Sequence, residues 1–300
     1  MKSKESYKKQ NLKSDMKRSK KTIKKLIEND EVTQSYMEDG SMPGFAAVYT
    51  GGSTHIGTRD YQEDAFFVTE ASSTQGNSPI KAFGIVCDGM GGLENGSKAS
   101  KLATDMMKEV LDNIQTEEGV EAKFLKAIDR IDMRVIEECG FGDGFTTGTT
   151  IVAALILGKH LHWVGVGDSR IYVVRGDEIV QVTQDHTFML KLSKIVDEGL
   201  ISKEEAETHP QRGALISFIG SGNIQYINTN KAGLDLLHGD IVLLCSDGLT
   251  KSLSNDSIAA IIKTWYGDMK ETAQQLTLQS FDSSDGAKDN TTVVLMQYFE

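Results

Sequence analysis

Cysteine is scarce, with three residues in 300 (Cys87, Cys139 and Cys245), and no two of them form a Cys-x-x-Cys pair. That spacing excludes a disulfide framework and gives no footing for structural zinc, so reduced thiols are expected. Proline is as rare, also three residues, and even with 29 glycines the chain is far from a low-complexity or collagen-like composition. Long apolar runs are missing too. The longest, Ile151–Leu157, falls well short of the roughly 20 residues that a membrane-crossing helix needs. No apolar stretch follows the basic N-terminus, so a secretory signal is not expected and a cytoplasmic location is.

What is present is a globular mixture, 39% hydrophobic and 25% charged, of a length that suits one or two domains of about 100–200 residues. The net charge of −11 is unevenly spread. Residues 1–25 carry eleven Lys/Arg against Glu5 and Asp15, which leaves 21 cations and 41 anions, a net −20, for the rest. So acidic a body is not expected to bind nucleic acid, because phosphate contacts need clustered cations; it suits cation binding better. Residues 1–35 read as a basic, mobile tail. A solvated charge run and a contact with acidic lipid, nucleic acid or protein all stay open for it, so the partner of the tail is unknown.

From Phe45 onward short apolar runs alternate with Gly and Asx turns, the texture of a mixed α and β domain. Strands are expected at 45–49, 65–69, 82–87, 149–157, 161–166, 171–174, 178–182, 225–229, 241–245 and 292–298. The connections Gly158-Lys159-His160 and Gly176-Asp177 are hairpin-sized, so the sheets should be largely antiparallel. Two helices follow from apolar spacings of three and four: Ala99, Leu102, Ala103, Met106, Met107, Val110, Leu111 and Ile114, then Val120, Phe124, Ile128, Ile131 and Val135. They should pack together on one sheet face. Residues 187–222 hold a weaker helix and a capping-box pair, Ser202 and Glu205, and look like an inserted flap. Two more helices are expected at 256–265 and 269–281. With no linker and no repeat in the body, residues 36–300 are taken as a single domain.

The informative acids are those at strand ends. Asp88, Asp168 and Asp247 each follow an apolar run and lead into Gly or Ser, while Glu63, Asp64 and Asp289 stand just before strands. Any one of them alone reads as a turn-former. Several converging would repel one another unless cations neutralised them, and an all-oxygen donor set points to hard ions such as Mg²⁺ or Mn²⁺. The run Asp88-Gly89-Met90-Gly91-Gly92 offers backbone free of side chains, which serves a tight turn before a helix as well as it serves a site.

Taken in order, Arg59-Asp60-Tyr61-Gln62-Glu63-Asp64, Asp88-Gly89-Met90-Gly91-Gly92, Thr147-Gly148-Thr149-Thr150, Gly167-Asp168-Ser169-Arg170, Ser246-Asp247-Gly248-Leu249 and Asp289-Asn290 resemble the type 2C metal-dependent Ser/Thr protein phosphatases (the PPM family), in their bacterial form. The resemblance covers residues 45–300. It implies an α+β fold, a sandwich of two antiparallel sheets flanked by helices on both sides, with metals at one end. It implies two Mg²⁺ or Mn²⁺ ions bridged by Asp88, with Glu63 and the Gly89 carbonyl on one and Asp247 and Asp289 on the other. Asp64 belongs to the same metal site, one step behind the ions, and a third, weaker ion is implied at Asp168 with help from Asp247. Arg59 is implied as the clamp on the substrate phosphate, and Thr147–Thr150 as structural.

The implied activity is hydrolysis of phosphoserine and phosphothreonine in proteins by a metal-bridging water, on substrates of a cognate Ser/Thr kinase. The chain departs from the family pattern in two places. Met90 stands where eukaryotic members carry a histidine and bacterial ones often have Met too, and Leu93 where many bacterial ones carry a histidine, which leaves the general acid unassigned, with His55 and His186 as weak candidates. Gly213 replaces an expected Asn in the flap. These departures keep a rival in view, a pseudophosphatase that binds phosphoproteins as a signalling scaffold. There is no G-x-S-x-G elbow and no Cys with an obvious basic partner, so a protein nucleophile is not expected. Cys87 and Cys245, beside candidate ligands, are read as inert buried thiols, with a redox sensor as the alternative.

Overall fold

A computed structural model describes residues 45–75, 79–91, 94–140, 147–283 and 286–300. The expected mobile tail and Leu93 lie outside the described residues. In chain order the elements are β1 (Phe45–His55), β2 (Asp64–Val68), β3 (Ser72–Gln75), β4 (Lys81–Met90), α1 (Glu94–Asp112), α2 (Val120–Cys139), β5 (Gly148–Thr149), β6 (Ile151–Leu157), β7 (His160–Val166), β8 (Arg170–Arg175) and β9 (Glu178–Gln181). Then come α3 (Phe188–Asp197), α4 (Lys203–Thr208), β10 (Asn228–Thr229), β11 (Leu234–Asp235), β12 (Ile241–Cys245), α5 (Asp247–Ser252), α6 (Asn255–Thr264), α7 (Met269–Asp282) and β13 (Thr291–Phe299).

The strands form two sheets, one in the order β3-β1-β13-β12-β8-β9, the other β10-β7-β6-β4-β2 with β11 on β7 and β5 on β4. Every described pairing is antiparallel. Because side chains alternate across a strand, β4 sends Ala82 and Val86 into the seam between the sheets, where they meet Trp163, Val242, Leu244 and Met296. Its other face, Phe83, Ile85 and Cys87, packs on Met107, Leu111, Phe124 and Ile128 of α1 and α2. β12 does the same on the opposite side, with Leu243 and Cys245 against Ile258, Ile262, Ala273 and Leu276 of the last helices. Burial on both faces explains why these strands read as unbroken apolar runs rather than as alternation.

The expected strand 45–49 runs on to His55. Gly51-Gly52 reads as a breaker, but the glycines are there for close approach: a Cβ on Gly51 would stand 2.0 Å from the Met269 carbonyl oxygen, and one on Gly52 would stand 2.5 Å from the Phe66 ring. β3 has no apolar signature to announce it, being Ser-Ser-Thr-Gln. Conversely, the strand expected over 225–229 shortens to Asn228–Thr229. The capping box is present in full, Ser202 and Glu205 satisfying each other's backbone N–H groups. No described helix is long and apolar enough to cross a membrane.

Candidate metal centre

The site is built where β2 begins and β4 ends. Asp64 and Asp88 are paired positions across that ladder, and Asp88 falls in phase with Ala82 and Val86, so it shares their side of β4. Its backbone is pinned on both sides. The Asp88 N–H donates to Thr150 Oγ1 at 3.0 Å, and the Asp88 carbonyl accepts from Thr149 Oγ1 at 2.9 Å and from the Thr150 N–H at 2.8 Å. Thr150 Oγ1 also pairs with Ser169 Oγ at 2.7 Å, which stitches the Gly167-Asp168-Ser169 loop to the same strand end. Gly89 and Gly96 form a cradle: a Cβ on Gly89 would stand 2.5 Å from the Glu63 carbonyl oxygen, and one on Gly96 would stand 2.2 Å from Glu63 Oε1. Only glycine lets Glu63 sit there.

Ser246 and Asn290 join the remaining segments. Ser246 Oγ donates to Asp64 Oδ2 at 2.8 Å and accepts from the Thr292 N–H at 2.9 Å. Asn290 Oδ1 accepts from the Glu63 N–H at 2.7 Å, while its Nδ2 donates to the carbonyls of Ile56 and Tyr61, so one amide holds the Arg59 loop beside Asp289. At the surface Arg59 contacts Asp289 at 3.0 Å. Lys251 reaches Asp247 at 2.6 Å and Asp289 at 3.1 Å.

Burial raises the carboxyl groups first and their mutual charge raises them further. Asp64 is pushed up to about 7, by desolvation and then by Asp247 and Asp289, against opposing hydrogen bonds from Thr292 and Ser246. Asp168 also rises to about 7, through desolvation followed by the charges of Asp247 and Asp185. Asp247 is raised by burial, with Lys251 opposing. Asp88, partly buried, is driven well above the carboxylate range by desolvation and by the charges of Asp64, Asp247, Asp168 and Asp289 together. The structure therefore brings five of the sequence-selected acids into one electrostatic neighbourhood, with Glu63 and Gly89 alongside. Among the described residues no three His, Cys, Asp or Glu side chains form a closed cage of metal donors; the carboxylates interact through space and partly through Lys251 and Arg59.

The residues nevertheless fit a divalent pair. Asp64 Oδ1 and Asp247 Oδ1 are buried with no hydrogen-bond partner, a costly state for a carboxylate oxygen unless a cation takes it up. Their neighbours supply oxygen donors and no sulfur or imidazole, the set suited to Mg²⁺ or Mn²⁺.

His186 does not serve as a general acid. His186 is buried, its Nδ1 accepts from the Gly167 N–H at 3.1 Å, its Nε2 lies 3.1 Å from Asn228 Nδ2, and desolvation lowers it to about 3. A proton donor cannot work from that position near neutral pH. His55 Nδ1 accepts from the Gly57 N–H, and its ring lies 4.5 Å from Phe281. Cys87 and Cys245 are completely buried, and desolvation pushes both thiols up to about 12, which removes the thiolate that a redox sensor needs. Ser246 and Asn290 stand in the sequence motifs but have no role assigned there, and Lys251 escapes the sequence reading. Lys251 did leave a signal there, standing four residues after Asp247 at a helix start.

Two antiparallel sheets between helical layers, with an acidic cluster at the strand ends of the seam, define a metal-dependent phosphatase. The sequence profile described as protein phosphatase 2C matches residues 51–281. The protein phosphatase PhpP of Streptococcus pneumoniae is 33% identical over 219 residues, 72% of this chain and 85% of that protein. A solved serine/threonine phosphatase of S. agalactiae superposes with a TM-score of 0.70 at 31% identity, over 84% of this chain and all of that one. The catalytic domain of the serine/threonine phosphatase PstP, solved in complex with two manganese ions, gives a TM-score of 0.67 at 26% identity, over 85% and 100%. The chain belongs to the protein phosphatase 2C family.

Proposed function

We propose that the chain removes phosphate from phosphoserine and phosphothreonine side chains of proteins, using Mg²⁺ or Mn²⁺ held by Glu63, Asp64, Asp88, the Gly89 carbonyl, Asp168, Asp247 and Asp289. The observation that carries this reading is the partly buried Asp88 lying within the fields of four other carboxylates. Two divalent ions, when bound, supply the charge that activates water and stabilises the transferring phosphoryl group. The chain's own residues do the rest. Asp88, clamped by Thr149 and Thr150, presents its carboxylate from a strand end that cannot drift. Arg59, exposed and held beside Asp289, is free to exchange that contact for a bidentate grip on substrate phosphate. Asn290 keeps that arginine's loop in register with Asp289.

Phosphoprotein substrates imply an opposing Ser/Thr kinase. In this reading residues 36–300 form one phosphatase domain with its flap at 187–222. The three cysteines, all buried and none in a disulfide, fit the reducing conditions of a cytoplasm. No observation favours a non-catalytic scaffold. The test is hydrolysis of a phosphothreonine peptide with added Mn²⁺: wild type turns over, and Asp88→Asn, the same size without the charge, loses at least about a hundredfold, since groups that merely position a ligand already cost about 10–100-fold. A wild type inert with Mg²⁺ and Mn²⁺ alike, yet binding the peptide, would hand the reading to the scaffold.

A further inference from the structure

Lys251 contacts two of the proposed ligands, Asp247 and Asp289, and has no place in the mechanism above. It projects from α5 one turn after Asp247. An ion pair at that i,i+4 spacing on an exposed helix face is ordinary and weak. The second contact is not of that kind: the same Nζ reaches Asp289 Oδ2 at 3.1 Å, 38 residues away in sequence, on the loop that enters β13. Asp247 and Asp289 are 17% and 28% exposed, so they have lost much of their water, whereas the lysine is 58% exposed and carries a flexible four-carbon stem. Arg59 takes the other oxygen of Asp289, Oδ1. Asp247 keeps Oδ1 without a hydrogen bond even so.

We propose that the Lys251 ammonium is a built-in counter-ion for the outer half of the carboxylate cluster, which a divalent metal must displace from Asp247 and Asp289, so that this lysine sets how tightly the second ion is held. The inference rests on the reading of the site given above. A lysine suits the task because its ammonium is a compact point charge with three rotatable donors, able to bridge two carboxylates as an ion would and to swing clear. It supplies one positive charge where the metal supplies two. The metal therefore prevails when present, at the cost of two charge-assisted hydrogen bonds, and the cluster keeps partial neutralisation when metal is scarce. An uncharged side chain at this position should tighten the second ion and leave the metal-free protein less stable, two changes of opposite direction that loss of a structural contact alone does not produce.

Calorimetric titration of the full chain with Mn²⁺, paired with thermal melting in EDTA, separates the possibilities. Lys251→Gln should bind Mn²⁺ roughly tenfold tighter than wild type, a tenfold figure allowing for the screening of an exposed charge a few ångströms from a divalent ion, and should melt at a lower temperature in EDTA. Lys251→Arg, which keeps the charge, should match wild type in both. Unchanged or weaker Mn²⁺ binding by Lys251→Gln overturns the inference while leaving the metal site standing. No Mn²⁺ uptake by wild type or by either variant overturns the reading of the site itself, and the inference with it.

Discussion

Asp64 and Asp88 stand directly opposite each other in the antiparallel ladder of β2 and β4, two acids where a sheet normally avoids like charges. Both are withdrawn from water, and Asp64 is the foremost of the charges that push Asp88 up. Ser246 donates a hydrogen bond to Asp64 Oδ2 at 2.8 Å, while the Thr149 and Thr150 hydroxyls meet the backbone of Asp88 rather than its carboxylate. Such a pair is unfavourable for folding and useful for holding cations, and the chain places it at the strand ends where backbone from four segments is already tied down.

The pH dependence of stability follows from that relationship. Asp64 and Asp168 rise in the folded, metal-free protein from the ordinary value of 3.8 to about 7. Between those values the folded state binds more protons than the unfolded one, so stability falls as pH rises, by about 1.4 kcal/mol per pH unit for each group. Below about pH 4 the penalty is absent, and above about pH 7 it is complete. In EDTA, melting temperatures should fall from pH 5 to pH 8. With saturating Mn²⁺ the trend should flatten or reverse, because metal competes with protons for the same oxygens. Melting curves that rise over this range in EDTA would contradict the burial of these acids.

Thr150 tests whether the site depends on its scaffold. Its hydroxyl accepts from the Asp88 N–H and pairs with Ser169 Oγ. Thr150→Val keeps the shape and removes both contacts, leaving a buried N–H unsatisfied at a cost of about 1–3 kcal/mol. Mn²⁺ affinity should drop about 10–100-fold, the range for groups that orient a metal ligand. The measurements are chemical denaturation and Mn²⁺ titration; full Mn²⁺ affinity in a destabilised protein would show that the clamp serves folding alone.

How much of this was legible beforehand depended on where the information sat. Asp88, Asp168 and Asp247 were visible because an apolar strand ending in Asp and then Gly or Ser is a local pattern, and their meeting follows from the sandwich that brings those ends together. The helical stripe of Met107, Leu111, Phe124 and Ile128 was visible for the same reason. What Ser246, Asn290 and Lys251 do was hidden, the first two although they stand in the motifs, because their roles are contacts across 182, 227 and 38 residues, and a Ser, an Asn or a surface Lys carries no periodic signature. Gly51-Gly52 lie beyond the expected strand end at residue 49, and glycine demanded by a passing helix looks the same in sequence as glycine demanded by a turn.

Cys87 and Cys245 give a negative prediction with a physical reason. Both thiols are buried and raised to about 12, so the reactive thiolate is almost absent at neutral pH. Exposure of the native protein to a mild thiol-directed alkylating agent should leave peptide turnover unchanged, and mass spectrometry should find these two residues unmodified until denaturant is added. Rapid labelling of Cys87 in the native state would mean that the layer between β4 and α1 opens far more readily than its packing indicates.

The proposed flap at 187–222 offers two glycines with opposite expectations. Gly213 lies where the family pattern has Asn, and a Cβ there would meet nothing within 4 Å, with no positive φ to strain it. Gly213→Asn should therefore change the melting temperature little, and any effect should fall on substrate preference rather than on folding. Gly220 is the reverse case. Its φ is +96°, a Cβ would stand 2.7 Å from the Thr147 carbonyl oxygen, and its N–H donates to the buried Asp132 at 2.6 Å. Next to it, Ile219 exchanges both backbone hydrogen bonds with Thr149, whose hydroxyl holds Asp88. Gly220→Ala should cost on the order of 1–3 kcal/mol through backbone strain and the close contact, and it should lower turnover through Thr149 although no flap atom contacts Asp88. Equal tolerance of the two substitutions, read by denaturation and peptide hydrolysis, would detach the flap root from the site.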